Sequence, residues 1–323
     1  MLIWIIDEEW SDYEIEKEFL KNKYKDVEIK ISNYNYDEDL KNFGYKADGI
    51  LAQVYADLPK DFIERLENCK VISTYGGGYD RINLEACKEK NITVTNIQDY
   101  CSEDLADYTV AAIYLANKKI YQYAESVKDD IKNGLWGQTA VKSMSHRLNC
   151  QNLLIYGLGS IGTYVAKKAA AVGLNVYAYD EFLSEEEIEK KNVKPIGLEE
   201  GLKIADYLSI NLKGVEANRN KINYEVLQKM KPSSYIINTS RGKVINEKDL
   251  IRAVNENLIS GAILDVVDVE PPEYDDPIFN NDKILITPHI SYISIESFRD
   301  LKEFALGNLS AVLDGKKPRD LVI

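Results

Sequence analysis

Asn152-Leu153-Leu154-Ile155-Tyr156-Gly157-Leu158-Gly159-Ser160-Ile161-Gly162 is the segment from which the architecture can be read. Residues 152–156 are a short apolar run of strand character, and the glycines follow without a gap. Beyond them Val165, Ala166, Ala169 and Ala170 recur at helical spacing up to a stop at Gly173. A bare G-x-G-x-x-G is a weak pattern, because glycines also serve ordinary turns; between a strand and a helix it acquires meaning. Gly157 then permits the tight turn, Gly159 lets the backbone approach a pyrophosphate, and Gly162 lets the helix pack close to the sheet. The helix start, with Ser160 and Ile161 in its first turn, offers unpaired N–H groups to phosphates.

A second strand pattern ends in Val176-Tyr177-Ala178-Tyr179-Asp180. Asp180 stands 180 − 162 = 18 residues past the last glycine, near the spacing of a ribose-binding acid. A carboxylate there accepts from both adenosine ribose hydroxyls and repels a 2′-phosphate, which points to NAD over NADP. The loop alone would equally serve a sheet that binds S-adenosylmethionine, and Asp180 could also merely cap the next turn.

Strand candidates continue in both directions. Residues 2–6, 27–31, 49–52, 70–73 and 92–94 alternate with helical patterns in the first hundred residues, enough for one small doubly wound sheet. A helix is predicted over 102–118, with Leu105, Thr109, Ala112, Ile113 and Ala116 on one stripe. Residues 119–150 read as polar and irregular. Six strands follow, at 152–156, 175–179, 206–210, 235–238, 261–264 and 284–287, as in a dinucleotide-binding sheet. Ser184-Glu185-Glu186-Glu187 reads as a capping box, and 295–313 as a last helix that returns to the first domain. The expectation is α/β, with two doubly wound parallel-sheet domains. A flavodoxin-like one covers 1–98 and 295–323, and a Rossmann domain covers 99–294.

Composition narrows the partners. With 40 Lys+Arg against 53 Asp+Glu the 323-residue chain carries −13, so nucleic acid is not an expected partner. No apolar run approaches bilayer length, and no membrane association is expected. Cys69, Cys87, Cys101 and Cys150 include no Cys-x-x-Cys pair; they read as free thiols in a reducing, cytoplasmic setting. Neither they nor the two histidines suggest a metal site.

Those histidines are His146, in a polar connector, and His289, in Thr287-Pro288-His289-Ile290-Ser291 at a strand end. Histidine is the default acid/base near neutrality. Two other strand ends carry Asn238-Thr239-Ser240-Arg241-Gly242 and Leu264-Asp265-Val266-Val267-Asp268-Val269-Glu270-Pro271. Parallel sheets place ligands at such ends. A carboxylate on imidazole stabilises the imidazolium and fixes its tautomer, so Glu270 and His289 make a proton donor for a carbonyl oxygen. Arg241 offers a guanidinium fork to a neighbouring carboxylate.

These phrases, in this order and spacing, resemble the D-isomer-specific 2-hydroxyacid dehydrogenases along essentially the whole chain, and Tyr100-Cys101-Ser102-Glu103-Asp104-Leu105-Ala106-Asp107 resembles the subgroup of phosphoglycerate dehydrogenase-like enzymes and C-terminal-binding-protein corepressors. The resemblance implies NAD-dependent interconversion of a 2-oxo acid and a D-2-hydroxy acid, with His289 as acid/base paired with Glu270, and Arg241 on the substrate carboxylate. It places Asn211, Thr239, Arg241, Asp265 and His289 against the cofactor, with Asp265 on the nicotinamide carboxamide. It gives backbone N–H groups at Gly76, Gly77 and Gly78 to the substrate carboxylate and sets Gln53, Tyr55 and Tyr100 at the substrate end. It also implies a homodimer formed through 102–118 and 119–147. An NAD-responsive binding protein with little turnover, as in the corepressors, is the alternative. One departure stands out: Asn211-Leu212-Lys213-Gly214-Val215 replaces the family's usual His-x-Pro-Leu-Thr, and Tyr292 stands nearest to its usual tryptophan.

Overall fold

The computed structural model describes all 323 residues, Met1–Ile323. They form two units, one of Met1–Tyr100 with Ser294–Ile323 and one of Cys101–Ile293.

The first unit is built on strands β1 (Leu2–Ile6), β2 (Glu28–Ser32), β3 (Gly49–Gln53), β4 (Val71–Tyr75) and β5 (Thr93–Thr95). All pair in parallel in the order β2-β1-β3-β4-β5, the flavodoxin-like arrangement. Alternation sends Trp4, Ile6, Ile50, Ala52 and Ile72 into one core layer and Ile3, Ile5, Leu51, Val71 and Tyr75 into the other. The second layer is closed by Leu301, Ala305, Leu306 and Leu309 of the helix Ile295–Leu313. Ser294 caps that helix by accepting from the Ser297 N–H at 2.9 Å.

The second unit holds β6 (Asn152–Tyr156), β7 (Asn175–Tyr179), β8 (Lys194–Pro195), β9 (Tyr207–Ile210), β10 (Tyr235–Asn238), β11 (Gly261–Leu264) and β12 (Ile284–Ile286). The order is β12-β11-β10-β9-β6-β7-β8, all parallel. Counted from β6, it reads 3-2-1-4-5-6-7, the Rossmann order with one strand added. Leu154, Tyr156, Leu208, Ile210 and Ile236 face one layer, and Leu153, Ile155, Ala178, Tyr207 and Ile237 the other, where Ala106, Ile113 and Ala116 of the helix Ser102–Lys118 pack.

Two expectations are corrected. Residues 119–150 are not irregular throughout: Ile120–Lys132 is a helix, set off from its predecessor by Lys119 at φ 52°. Its apolar residues stay exposed (Ile120 54%, Ile131 56%), so no buried stripe marks it. The second sheet has seven strands rather than six, because β8 is a two-residue strand containing a proline, too short to show alternation. The Ser184 capping box forms as predicted, Glu187 accepting from the Ser184 N–H at 2.8 Å.

Candidate active site

Pairing register gathers the candidate residues of the second unit. Tyr156 lies opposite Tyr179 and Ile210, Asn238 opposite Ile210 and Leu264, and Leu264 opposite Ile286. The strands therefore end together, and the loops carrying Gly157, Asp180, Asn211, Arg241, Glu270 and His289 leave from one carboxyl edge, where open α/β sheets bind ligands.

The glycine loop is a cradle with one open side. Gly157, at φ 95°, passes so close to the next loop that a Cβ would lie 2.7 Å from the Asn211 carbonyl oxygen. A Cβ on Gly162 would overlap the Gly157 carbonyl, whereas one on Gly159 would meet nothing within 4 Å. Space is thus kept at Gly159, where a pyrophosphate would approach. Asp180 accepts from the Leu158 N–H at 2.7 Å and the Phe182 N–H at 2.9 Å, which fixes its carboxylate at the rim of the loop. Beside it, Lys221 pairs with Glu181, which also accepts from Tyr156 Oη at 2.8 Å. These bonds hold the Glu181 carboxyl below its ordinary range, first through Lys221 and then through Tyr156. Asn211 donates to Ser209 Oγ at 3.0 Å, while its buried Oδ1 has no protein partner. An orphaned buried acceptor beside a glycine cradle suits a ligand with donors of its own, so the residues present fit a nicotinamide dinucleotide. Ser160 Oγ lies 3.2 Å from Ser102 Oγ, and Ile161 is half-buried on the first turn of the helix Ser160–Ala171.

After β10, Asn238 folds the turn that presents Arg241. Its Oδ1 accepts from the Ser240 N–H at 3.0 Å, and its Nδ2 donates to the Arg241 carbonyl at 3.0 Å. Thr239 is buried and Arg241 half-buried. A Cβ on Gly242 would overlap the Val267–Asp268 peptide, so glycine lets the Arg241 turn lie directly on the loop that carries Glu270. The atypical 211–215 loop also has a use here: a Cβ on Gly214 would overlap Arg241 Cγ, so this loop flanks the arginine stem.

His289 Nδ1 lies 2.8 Å from Glu270 Oε2, and both side chains are 22% exposed. Glu270 Oε1 accepts from the Val267 N–H at 3.1 Å. His289 has φ 54°, a left-handed conformation that costs a non-glycine residue on the order of 1 kcal/mol and tends to persist where function holds it. Asp265 imposes the bend. Only 1% exposed, it accepts at 2.6 Å from Thr287 Oγ1, 2.9 Å from the Ile290 N–H and 2.8 Å from the Ser291 N–H. The His289 N–H donates to the Asp265 carbonyl at 2.9 Å. Asp265 is therefore, before any cofactor contact, the group that folds the histidine turn. Tyr108 Oη, 2.5 Å from Thr287 Oγ1, extends this chain; it lies off the helix stripe that the sequence picks out, and nothing local signals it. Tyr292 meets His289 edge-on, ring centres 6.0 Å apart. His146 is exposed in a connecting loop.

In the first unit, Gln53 ends β3 and Tyr75 ends β4, paired in register, so the loop at 76–78 starts at that sheet's carboxyl edge. The Gly76 carbonyl accepts from the Ile97 N–H at 2.9 Å and Thr74 Oγ1 at 2.9 Å, and the Gly77 carbonyl accepts from Asn96 Nδ2 at 3.0 Å. Two of its carbonyls are thus tied down, while the N–H groups of Gly77 and Gly78 donate to no protein acceptor. Such a loop is suited to an anion. A Cβ on Gly76 would lie 3.9 Å from Tyr100 Oη. Gln53 is buried with its Oε1 accepting from the Val54 N–H at 2.9 Å, and Tyr55 is half-buried beside Arg81.

The sequence profile of the D-isomer specific 2-hydroxyacid dehydrogenase NAD binding domain matches residues 110–291. The chain is 31% identical over 289 residues to a glyoxylate reductase of Thermofilum pendens, covering 88% of this chain and 84% of that one. It is 31% identical over 296 residues to a D-3-phosphoglycerate dehydrogenase of Methanocaldococcus jannaschii, covering 91% of this chain and 55% of the relative. Among solved structures, D-lactate dehydrogenase from Aquifex aeolicus with NAD and lactic acid superposes with a TM-score of 0.86 at 27% identity, covering 99% of this chain and 98% of that one. With the sheet order and the carboxyl-edge loops described above, these matches make the chain a member of the D-isomer-specific 2-hydroxyacid dehydrogenases, enzymes that use a nicotinamide dinucleotide.

Proposed function

We propose that the enzyme reversibly reduces a 2-oxo acid to the D-2-hydroxy acid, with NADH preferred over NADPH. The observation that carries this reading is the 2.8 Å contact between His289 Nδ1 and Glu270, beside the Arg241 turn. A carboxylate on Nδ1 stabilises the imidazolium and assigns proton transfer to Nε2. In reduction, His289 gives a proton to the carbonyl oxygen; in oxidation it takes the hydroxyl proton. Arg241 binds the carboxylate beside the reacting carbon, keeps it in register and polarises the carbonyl. The 76–78 loop is a further carboxylate-binding group, and Gln53, Tyr55 and Tyr100 shape the substrate end. The bound nicotinamide supplies the hydride. Asp180 holds the adenosine ribose and disfavours a 2′-phosphate; Asp265, Thr239 and Asn211 serve the nicotinamide side.

The domain carrying the Rossmann sheet is the cofactor domain and the other the substrate domain. The exposed apolar residues Ile120, Ile131 and Trp136 support a homodimer; sedimentation should give twice the 36.8 kDa chain mass, and a monomer at micromolar concentration would remove that assignment. The four cysteines, Cys150 exposed among them, form no disulfide, which suits a cytoplasmic setting. The test of the activity is NADH oxidation with glyoxylate, hydroxypyruvate, pyruvate, 2-oxoisocaproate and phenylpyruvate, with chiral analysis of the product where the product is chiral. Turnover with at least one of them and a D-configured product are expected. No NADH oxidation with any would move the assignment to an NAD-responsive binding protein.

A further inference from the structure

An ion pair is wholly buried in the first unit and takes no part in the chemistry above. Lys302, on the helix Ile295–Leu313, is 2% exposed, and Glu16, on the helix Glu14–Lys23, is 0% exposed. Lys302 Nζ lies 3.2 Å from Glu16 Oε1 and donates to the Asp12 carbonyl at 3.0 Å. The rings of Trp10, Phe298 and Tyr13 surround it at 4.4, 5.4 and 5.6 Å. Charges this deep are kept only when paired, and well-packed apolar residues of similar volume would serve stability at least as well. What apolar residues would not provide is a fixed acceptor. Glu16 Oε1 accepts from Tyr75 Oη at 3.1 Å, and the Tyr75 ring lies 4.2 Å from Trp10.

Tyr75 is the last residue of β4, and Gly76 follows it at φ 141°. The Gly76 and Gly77 carbonyls are held by Thr74, Asn96 and Ile97; Tyr75 holds the loop's root. We propose that Lys302 and Glu16 are positioning residues for the 76–78 loop: by locking Tyr75 they set where the Gly77 and Gly78 N–H groups point. This rests on the reading of that loop as a carboxylate binder. The pair touches no substrate; it acts through Tyr75 alone.

Tyr75→Phe keeps the ring on Trp10 and the charge pair intact while deleting one bond to a charged acceptor. Its KM for the oxo acid should rise roughly 5- to 30-fold, with the NADH dissociation constant within about twofold of wild type. Exchange at the loop is read at the Ile97 N–H, which donates to the Gly76 carbonyl at 2.9 Å and should exchange with solvent deuterium several-fold faster, as expected when a local constraint is lost. Glu16→Met with Lys302→Met, made on Tyr75→Phe so that no buried hydroxyl is left without an acceptor, should melt close to the wild-type temperature and add no further rise in KM, because the pair acts through Tyr75. A wild-type KM and wild-type loop exchange in Tyr75→Phe would overturn the proposal. The loop reading is tested separately in the wild-type enzyme with NADH, by adding oxamate as a carboxylate probe. Protection of the Gly77 and Gly78 amides is expected. Its absence would overturn the loop reading and the clamp with it; protection together with an unaffected Tyr75→Phe would leave the loop standing and remove the clamp.

Discussion

Glu270→Gln isolates the contribution of charge at the His289 pair. The amide is nearly isosteric with the carboxylate and can still accept from the Val267 N–H, which donates to Glu270 Oε1 at 3.1 Å. What it loses is the negative charge 2.8 Å from Nδ1. A hydrogen bond to a charged partner contributes about 1.5–3 kcal/mol. With both side chains 22% exposed, solvent screening argues for the lower half, about 1.5–2 kcal/mol. At about 1.4 kcal/mol per decade, kcat for oxo-acid reduction should fall about 10- to 30-fold. The assay is steady-state NADH oxidation at saturating oxo acid, with NADH binding measured by its own fluorescence. The dissociation constant should stay within about twofold. A kcat within twofold of wild type across pH 5–9 would refute the reasoning, because the carboxylate would then have no part in stabilising the imidazolium.

Three further outcomes follow from the same geometry. Arg241→Ala removes the guanidinium fork and should raise the oxo-acid KM by about 30-fold or more, with a much smaller effect on NADH affinity; an effect confined to NADH would refute its assignment. Asp180→Ala should weaken NADH binding by roughly tenfold and narrow the preference over NADPH, measured by titrating both; an unchanged ratio would exclude Asp180 as the discriminating group. Gly242→Ala forces a methyl group into the Val267–Asp268 peptide and should cost roughly 3 kcal/mol, seen by calorimetry as a melting temperature about 6–12 °C lower for a domain of that size. A wild-type melting temperature would show that the close approach is not required.

Where local chemistry governs, the fold was legible from the residues. The helices Ser102–Lys118 and Ile295–Leu313 and the strand Asn152–Tyr156 fall where the apolar pattern places them. The helix Ile120–Lys132 carries no buried stripe, because its apolar residues meet solvent. Its spacing at Ile120, Val127 and Ile131 was still helical.

In the site, types and order were readable: a histidine, a glutamate and an arginine at strand ends. Their arrangement was not. The bend at His289 depends on Asp265, more than twenty residues earlier, collecting three hydrogen bonds from residues 287–291. The overlap that makes Gly242 obligatory depends on the Val267 backbone. Glu16 and Lys302 are 286 residues apart, and either alone reads as an ordinary charged residue on a helix. Contacts of this kind arise only when the sheet has formed, and no local pattern announces them.

His289 is the point on which the enzymatic account turns. Its substitution by alanine should leave NADH binding and the melting temperature close to wild type, since the side chain is partly exposed and its turn is held by Asp265. Turnover of the best oxo acid, followed as NADH oxidation at saturating substrate, should fall by about 10²–10⁴-fold, the usual share of general acid–base catalysis. A His289→Ala enzyme that turns over within a few-fold of wild type would contradict the assignment of His289 as the proton donor.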